Sequence, residues 1–370
     1  MLAESQQLAP AALDVRESYR MIQSLEITNF RGFRQINLSN LPQFNVLIGE
    51  SASGKTAFLE ALWIQCGISP EIYFRMRAFR GMAEANFQLG GDRLSYEAVF
   101  SDIFHDAKLE AGATIQIMDS LLDSRTLTIA YGSSQITMSG LKPQADANPG
   151  VRKLVFRWMV RGNEHSCPLN VVNGQIVVEN PPELYPGVFF ASAFVAGARE
   201  NAERLSMLNI SGEKQEVINT IKKIFPSVED LSSESISNQQ MIWAKMQEVK
   251  RRIPMALVSS GINKFISLLL WISLNRNGLL LVDEIENGFY FGNYEEVFRT
   301  LVEFCREFNV QLFAATHSWE FLKAVETVLR TAPSNLSMLK TGLHNGECAI
   351  SQIAGISSLA AIQEGIDPRR

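Results

Sequence analysis

The stretch GESASGKTAFLEAL, Gly49–Leu62, sets two glycines, a lysine and a threonine at the spacing Gly-x-x-x-x-Gly-Lys-[Ser/Thr]. A match of this kind is expected by chance roughly 0.01 times in a chain this long. Ahead of it FNVLI reads as an apolar strand. Behind it Phe58, Leu59, Leu62, Trp63 and Cys66 recur with the stripe of a helix packed on a sheet. The loop therefore sits at a strand-to-helix junction. There glycines let successive backbone N–H groups turn inward as an anion nest, and the helix macrodipole favours negative charge. Gly49, Glu50, Ser51, Ala52, Ser53, Gly54, Lys55 and Thr56 are thus predicted to cradle a nucleoside triphosphate, taken as ATP. Lys55 reaches the β and γ phosphates, and the Thr56 hydroxyl coordinates Mg2+.

A second segment, LLLVDE at 279–284, is an apolar strand ending in two carboxylates. Burying both at a sheet edge is costly unless a cation offsets their charge. The expected arrangement gives Asp283 to Mg2+ and Glu284 to the attacking water as general base. The glycine-lined and acid-tipped segments are expected on neighbouring strands.

The rest of the chain alternates in texture. IQSLEITNF and FNVLI, between Met21 and Ile48, read as β-segments. From about 85 to 195 short β-like runs dominate (RLSYEAVF, ATIQIMD, TLTIAY, KLVFRWMV), with a hairpin signal at Asn173-Gly174 and an expected mobile loop at 141–150. Residues 199–255 read as helical and polar, with LSSESISNQQ (231–240) as a linker. From about 262 helices and continuous apolar strands alternate again, which indicates a parallel sheet covered on both faces. A further hairpin signal stands at Asn345-Gly346. The divisions drawn are 1–20, an N-terminal extension or an over-long start before Met21; 21–84, the N-terminal part of an α/β core; 85–198, an antiparallel β lobe; 199–255, a helical insertion; and 256–370, the C-terminal part of the core.

With those motifs in view, ITNFRGFRQINLSNLPQFNVLIGESASGKTAFLEAL resembles the opening of the SMC, RecF and OLD-type ATPases, which are ABC-type P-loop ATPases. The second half is similar too: LVSSGINKFISLLLWI stands in the place of the signature helix, VDEIENGFY joins Walker B to the D-loop, and FAATHSWEFL carries the switch histidine. The resemblance implies that Ser259 and Gly261 contact the γ-phosphate bound to an opposite protomer. It also implies that His317 senses that phosphate near Glu284, and that Glu286, Asn287 and Gly288 couple two sites across a dimer. The signature departs from the transporter-like pattern at Ile262-Asn263. Ser259 is also a natural helix N-cap, and the two roles are compatible. Gln88 is a weak candidate for the Q-loop glutamine. Arg31 either approaches the nucleotide or is an exposed hairpin arginine.

Composition narrows the uses of such an engine. Hydrophobic residues make up 46% and charged residues 20%, and the formal net charge is −5, against a bulk polyanion binder. Cys66, Cys167, Cys305 and Cys348 and the four histidines match no metal spacing, which points to free thiols. No membrane-spanning run is read, and the expected location is cytoplasmic. The stretch between Thr56 and Ser259 holds no long coiled coil or membrane-coupling segment. The residues after His317 contain a single aspartate, Asp367, and so no Asp-x-Asp pair of a Toprim nuclease. The expected function is a compact OLD-like ATPase that dimerises around ATP and controls a separate effector in anti-phage defence or DNA repair. The alternative is an ATP-locked scaffold with slow turnover. DNA is a candidate partner through Arg75, Arg77 and Arg80 with Tyr73, Phe74 and Phe79, or through Lys250-Arg251-Arg252.

Overall fold

The computed structural model describes residues 21–67, 70–82, 97, 99–121, 123–133, 152–172, 175–177, 187–191 and 197–369. Residues 1–20, Gln88, the 141–150 loop and Asn173-Gly174 lie outside the described residues.

Two six-stranded sheets organise the chain. The first is antiparallel throughout and joins β1 (Ile22–Phe30), β2 (Phe33–Leu38), β4 (Ala113–Asp119), β5 (Ser124–Ser133), β6 (Arg152–Val160) and β7 (Asn163–Pro168) in the order β2-β1-β4-β5-β6-β7. The second sheet contains β3 (Phe44–Gly49), β10 (Gly187–Phe190), β14 (Leu279–Val282), β15 (Gln311–Ala315), β16 (Leu336–His344) and β17 (Glu347–Ala354). Its order is β10-β14-β15-β3-β16-β17, parallel except for the final hairpin. A small hairpin, β8 (Asn170–Val172) with β9 (Gln175–Val177), follows the first sheet.

The central strands are buried on both faces because each face meets a different core. Val46 and Ile48, Leu280 and Val282, and Leu312 and Ala314 face one cluster. It is closed by α5 (Ser260–Leu274), α6 (Tyr294–Glu307) and α7 (Trp319–Leu329). Leu47, Leu279, Leu281, Phe313 and Ala315 face the other, which fills the space up to the antiparallel sheet. Helix α1 (Lys55–Trp63) lies in that second core, with every residue except Thr56 buried, and α2 (Glu71–Phe79) follows it. Sandwiching between two sheets is what its wide apolar stripe demands. Gln311 stitches the layers: its side chain bonds Ile22 N, Ile22 O and Pro42 O at 2.9–3.0 Å.

The described structure redraws several expected boundaries. The line at 84/85 cuts the antiparallel sheet, since β1 pairs with β4 on one side and β2 on the other rather than joining the parallel core. β10, placed with the β lobe, is the edge strand of the core sheet. Residues 199–255 are only half helical: α3 (Ala198–Ser211) and α4 (Lys214–Ile224) precede β11 (Val228–Ile236), β12 (Gln239–Met246) and β13 (Ile253–Pro254). The expected linker at 231–240 is the β11–β12 hairpin, where Leu231 and Ile242 are buried while Glu234, Ser235 and Ile236 near the turn are exposed. The described residues of RLSYEAVF, Glu97, Val99 and Phe100, are helical rather than stranded. The Asn345-Gly346 signal does mark a hairpin, with φ of +52° and +83° joining β16 to β17. The glycine loop and the acid-tipped strand are not neighbours: β15 lies between β14 and β3.

Candidate functional site

That intervening strand concentrates the motifs. Parallel register aligns Val282, Ala314 and Val46, so Asp283, His317 and the loop after Ile48 leave the sheet along the same carboxyl edge. Ligands of open α/β sheets bind at such an edge.

The loop is built for close backbone approach. Gly49 has φ +142°, and a Cβ there would lie 2.2 Å from Thr341 O on β16. Ser53 Oγ donates to Glu50 O (2.7 Å) and meets Thr341 Oγ1 at 2.5 Å. Gly54, left-handed at φ +99°, is the N-cap of α1, and no side chain caps that helix. First-turn N–H groups have no intrahelical acceptor, so this end is fitted to an anion. Lys55 Nζ donates to Gly49 O (2.9 Å) and Glu50 O (2.6 Å). Burial pushes its ammonium below the usual lysine range, against the pull of Asp283, Glu284 and Glu286.

Thr56 Oγ1 donates to Asp283 Oδ2 at 2.6 Å, joining the two motifs across 227 residues of sequence. Asp283 is 5% exposed, and its backbone N–H bonds Phe190 O at 2.8 Å. A hydroxyl and a carboxylate side by side are hard oxygen donors of the kind Mg2+ selects alongside phosphate and water, so the residues present fit that ion. Among the described residues no cluster of three His, Cys, Asp or Glu side chains forms a separate metal site. Glu284 follows in the left-handed region at φ +45°, its carboxylate accepting from the Asn287 side-chain amide. The backbone N–H of His317 donates to Glu286 Oε1 at 2.7 Å. Lys55, Thr56, Asp283, Glu284 and His317 all line one cleft of about 510 Å³, with Ser51, Ala52 and Gly54.

Ser259 and Gly261 stand apart from these. Ser259 Oγ accepts from Ile262 N at 3.5 Å, so the N-cap reading holds. Neither is among the described residues lining the cleft. Gly261 instead packs on the turn after β14, where a Cβ would lie 2.0 Å from Gly288 O.

Arg31 is not an exposed hairpin residue. Its side chain is 8% exposed, lines the cleft, and pairs with Glu60 at 2.8 Å and Asp102 at 3.2 Å. The aromatic-basic surface expected from residues 73–80 is largely internal. Tyr73 and Arg77 are buried and bonded to Asp102 and Val99 O, while Arg80 forks onto Glu60 at 2.9 Å and faces the cleft. Arg75 is exposed. Of the second basic run, Arg252 pairs with Asp230 at 2.5 Å; Lys250 and Arg251 are exposed. Sequence reasoning passed over Glu60, Arg80 and Cys348 as cleft residues and Lys264 beneath Glu284. Glu60 and Lys264 carried a signal, since each is a charge at a core-facing position of an apolar helix.

Residues 21–131 match the family described as "AAA ATPase domain", and residues 202–323 match "AAA domain, putative AbiEii toxin, Type IV TA system". The chain is 22% identical over 342 residues to an ATP/GTP phosphatase of Helicobacter pylori, covering 84% of this chain and 89% of that protein. It is 44% identical over 43 residues to the DNA replication and repair protein RecF of Oceanobacillus iheyensis, a match that spans 12% of each chain. Among solved structures, the Smc head domain bound to the C-terminal domain of ScpA, from Pyrococcus furiosus, superposes with a TM-score of 0.50 at 12% identity, covering 93% of this chain and 99% of that one. No helix among the described residues is long and apolar enough to cross a membrane. Its motifs stand in ABC order on the fold of an SMC head, and through its two ATPase-domain matches the chain is similar to the SMC/RecF-like ABC-type ATPases.

Proposed function

We propose that the chain binds MgATP in the cleft, pairs with a second copy across the nucleotide, hydrolyses it, and through that cycle controls a separate effector protein in anti-phage defence or DNA repair. The observation that carries the reading is the 2.6 Å contact between Thr56 and Asp283 in the cleft that Lys55, Glu284 and His317 also line. In this reading the loop N–H groups and Lys55 hold the phosphates, and Thr56 and Asp283 hold Mg2+. The ion, when bound, neutralises charge on the phosphate oxygens. Glu284 orients and deprotonates the attacking water, with its strained backbone fixing the carboxylate's direction, and His317 reports on the γ-phosphate.

Pairing is supported by Ser259 and Gly261. They lie off the chain's own cleft, at a helix N-terminus where a partner's phosphate would be met. Exposed Leu257, Tyr290 and Phe291 flank the same motifs. A separate effector is supported by the toxin system named for the second family match and by the ScpA-bound state of the Smc head. Arg75, Lys250 and Arg251 remain exposed basic candidates for DNA, and a steep salt dependence of binding that their reversal abolishes would support that contact. The test of the whole is light scattering of Glu284→Gln with and without MgATP. A nucleotide-dependent doubling of mass supports the pair; a mass that ATP leaves unchanged refutes it.

A further inference from the structure

Lys264 lies just past the first turn of α5, and its side chain reaches into the turn that follows β14. Its ammonium donates to Glu284 O at 2.8 Å and stands 3.5 Å from both Ile285 O and Asn287 O, and the Phe289 ring centroid is 5.9 Å away. Convergent carbonyls are what an ammonium with three N–H groups requires once it leaves water. Burial pushes Lys264 down to about 8, against the pull of Glu286, Glu284 and Asp283.

The turn it clasps needs holding. Glu284 is left-handed at φ +45° and Gly288 at φ +89°. A non-glycine residue keeps such a conformation only where its surroundings over-determine it. The other bonds of Glu284 are local: its N–H to Asp283 Oδ1, its carbonyl from Asn287 N, its carboxylate from the Asn287 amide. Among the described residues, Lys264 is the hydrogen-bond partner of Glu284 that comes from a different element. The same helix carries Gly261 against Gly288.

We infer that Lys264 is a positioning residue that ties the signature helix to the Glu284 backbone within one chain, so that engagement of Ser259 and Gly261 by a partner's nucleotide resets the direction of this chain's own Glu284 carboxylate. The inference rests on the proposed roles of Glu284, Ser259 and Gly261. It assigns a route from one active site to the other that runs through a side chain rather than through the D-loop alone.

The test compares Lys264→Met, which keeps the apolar stem, with Lys264→Arg, which keeps the charge. The Met variant is expected to hold ATP affinity and KM within about twofold while kcat falls about a hundredfold, the scale of an ångström-sized misplacement. The Arg variant is expected to recover at least about a tenth of wild-type kcat. Amide exchange over Ile285–Phe289 without nucleotide should quicken about tenfold or more in the Met variant, a readout independent of hydrolysis. Wild-type exchange and kcat in Lys264→Met, or a loss confined to KM and ATP affinity, would overturn the inference. Should Glu284→Gln leave turnover intact, the reading of Glu284 fails on its own, and the exchange comparison still decides whether Lys264 holds the turn.

Discussion

Gly261→Ala adds one methyl group at the contact between α5 and the acidic turn after β14. Built on the native backbone, that Cβ would lie 2.0 Å from Gly288 O and 2.6 Å from Gly288 C. Both are backbone atoms and cannot rotate away. A carbon and an oxygen rest at about 3.3 Å or more, so the helix end and the turn must part by roughly 1 Å. Overpacking of this order costs about 1–3 kcal/mol. Helix α5 cannot yield easily, because Phe265, Ile266, Leu268 and Leu269 are fully buried. The displacement therefore falls on the turn that carries Glu284, and misplacing a reacting group by about 1 Å costs roughly a hundredfold in rate, or ~2.7 kcal/mol. Steady-state phosphate release and a thermal melt read the two effects. The expected result is kcat down about a hundredfold, melting lowered by several degrees, and ATP affinity within about threefold. Gly342→Ala is the control, for nothing lies within 4 Å of its added Cβ. Wild-type kcat and melting temperature in Gly261→Ala would refute the argued contact.

Three further outcomes are expected. Glu60→Ala strips the carboxylate from buried Arg31, which keeps only Asp102, and from Arg80, which can reach solvent; urea unfolding should register a loss of about 3 kcal/mol, and a loss under about 1 would contradict the pairing. Alkylation of Cys348, a partly exposed cleft residue, should slow when MgATP is added, whereas fully buried Cys66 and Cys305 stay unreactive in the folded chain, although burial pushes all three thiols upward; peptide mapping that finds Cys348 labelled equally fast with and without nucleotide would place ATP elsewhere. Because Lys264 falls to about 8 from the ordinary 10.5, the unfolded chain binds a proton between those values that the folded chain does not, so this group adds stability as pH rises, by at most about 1.4 kcal/mol per pH unit; Lys264→Met should flatten the unfolding free energy over that window, and an unchanged slope would contradict its burial.

The parts of the molecule legible in sequence were those whose chemistry is local. The loop from Gly49 to Thr56 binds through consecutive backbone groups, so its spacing carries its meaning. LLLV and its two carboxylates state burial followed by charge. Ser259 reads as a cap because capping is settled within four residues. What stayed hidden depends on pairing at a distance. Nothing in IQSLEITNF says that β1 pairs with β4 rather than with β3, and nothing in the two motifs says that β15 separates their strands. LSSESISNQQ looked like a linker because its serines alternate with only a few apolar residues, and the alternation had meaning once Ile242 and Ala244 lay opposite. Arg77 and Arg80 looked like surface charge because their partners, Asp102 and Glu60, arrive from other elements.

The central claim is that Lys55, Thr56, Asp283 and Glu284 form one MgATP-hydrolysing site. Parallel measurement of ATP binding and phosphate release in wild type and Glu284→Gln tests it most directly. The account predicts wild-type turnover that requires Mg2+, and a Glu284→Gln protein that binds ATP as tightly yet turns it over at least about a hundredfold more slowly. Failure of both proteins to bind ATP in the presence of Mg2+, or equal turnover in the two, would contradict it.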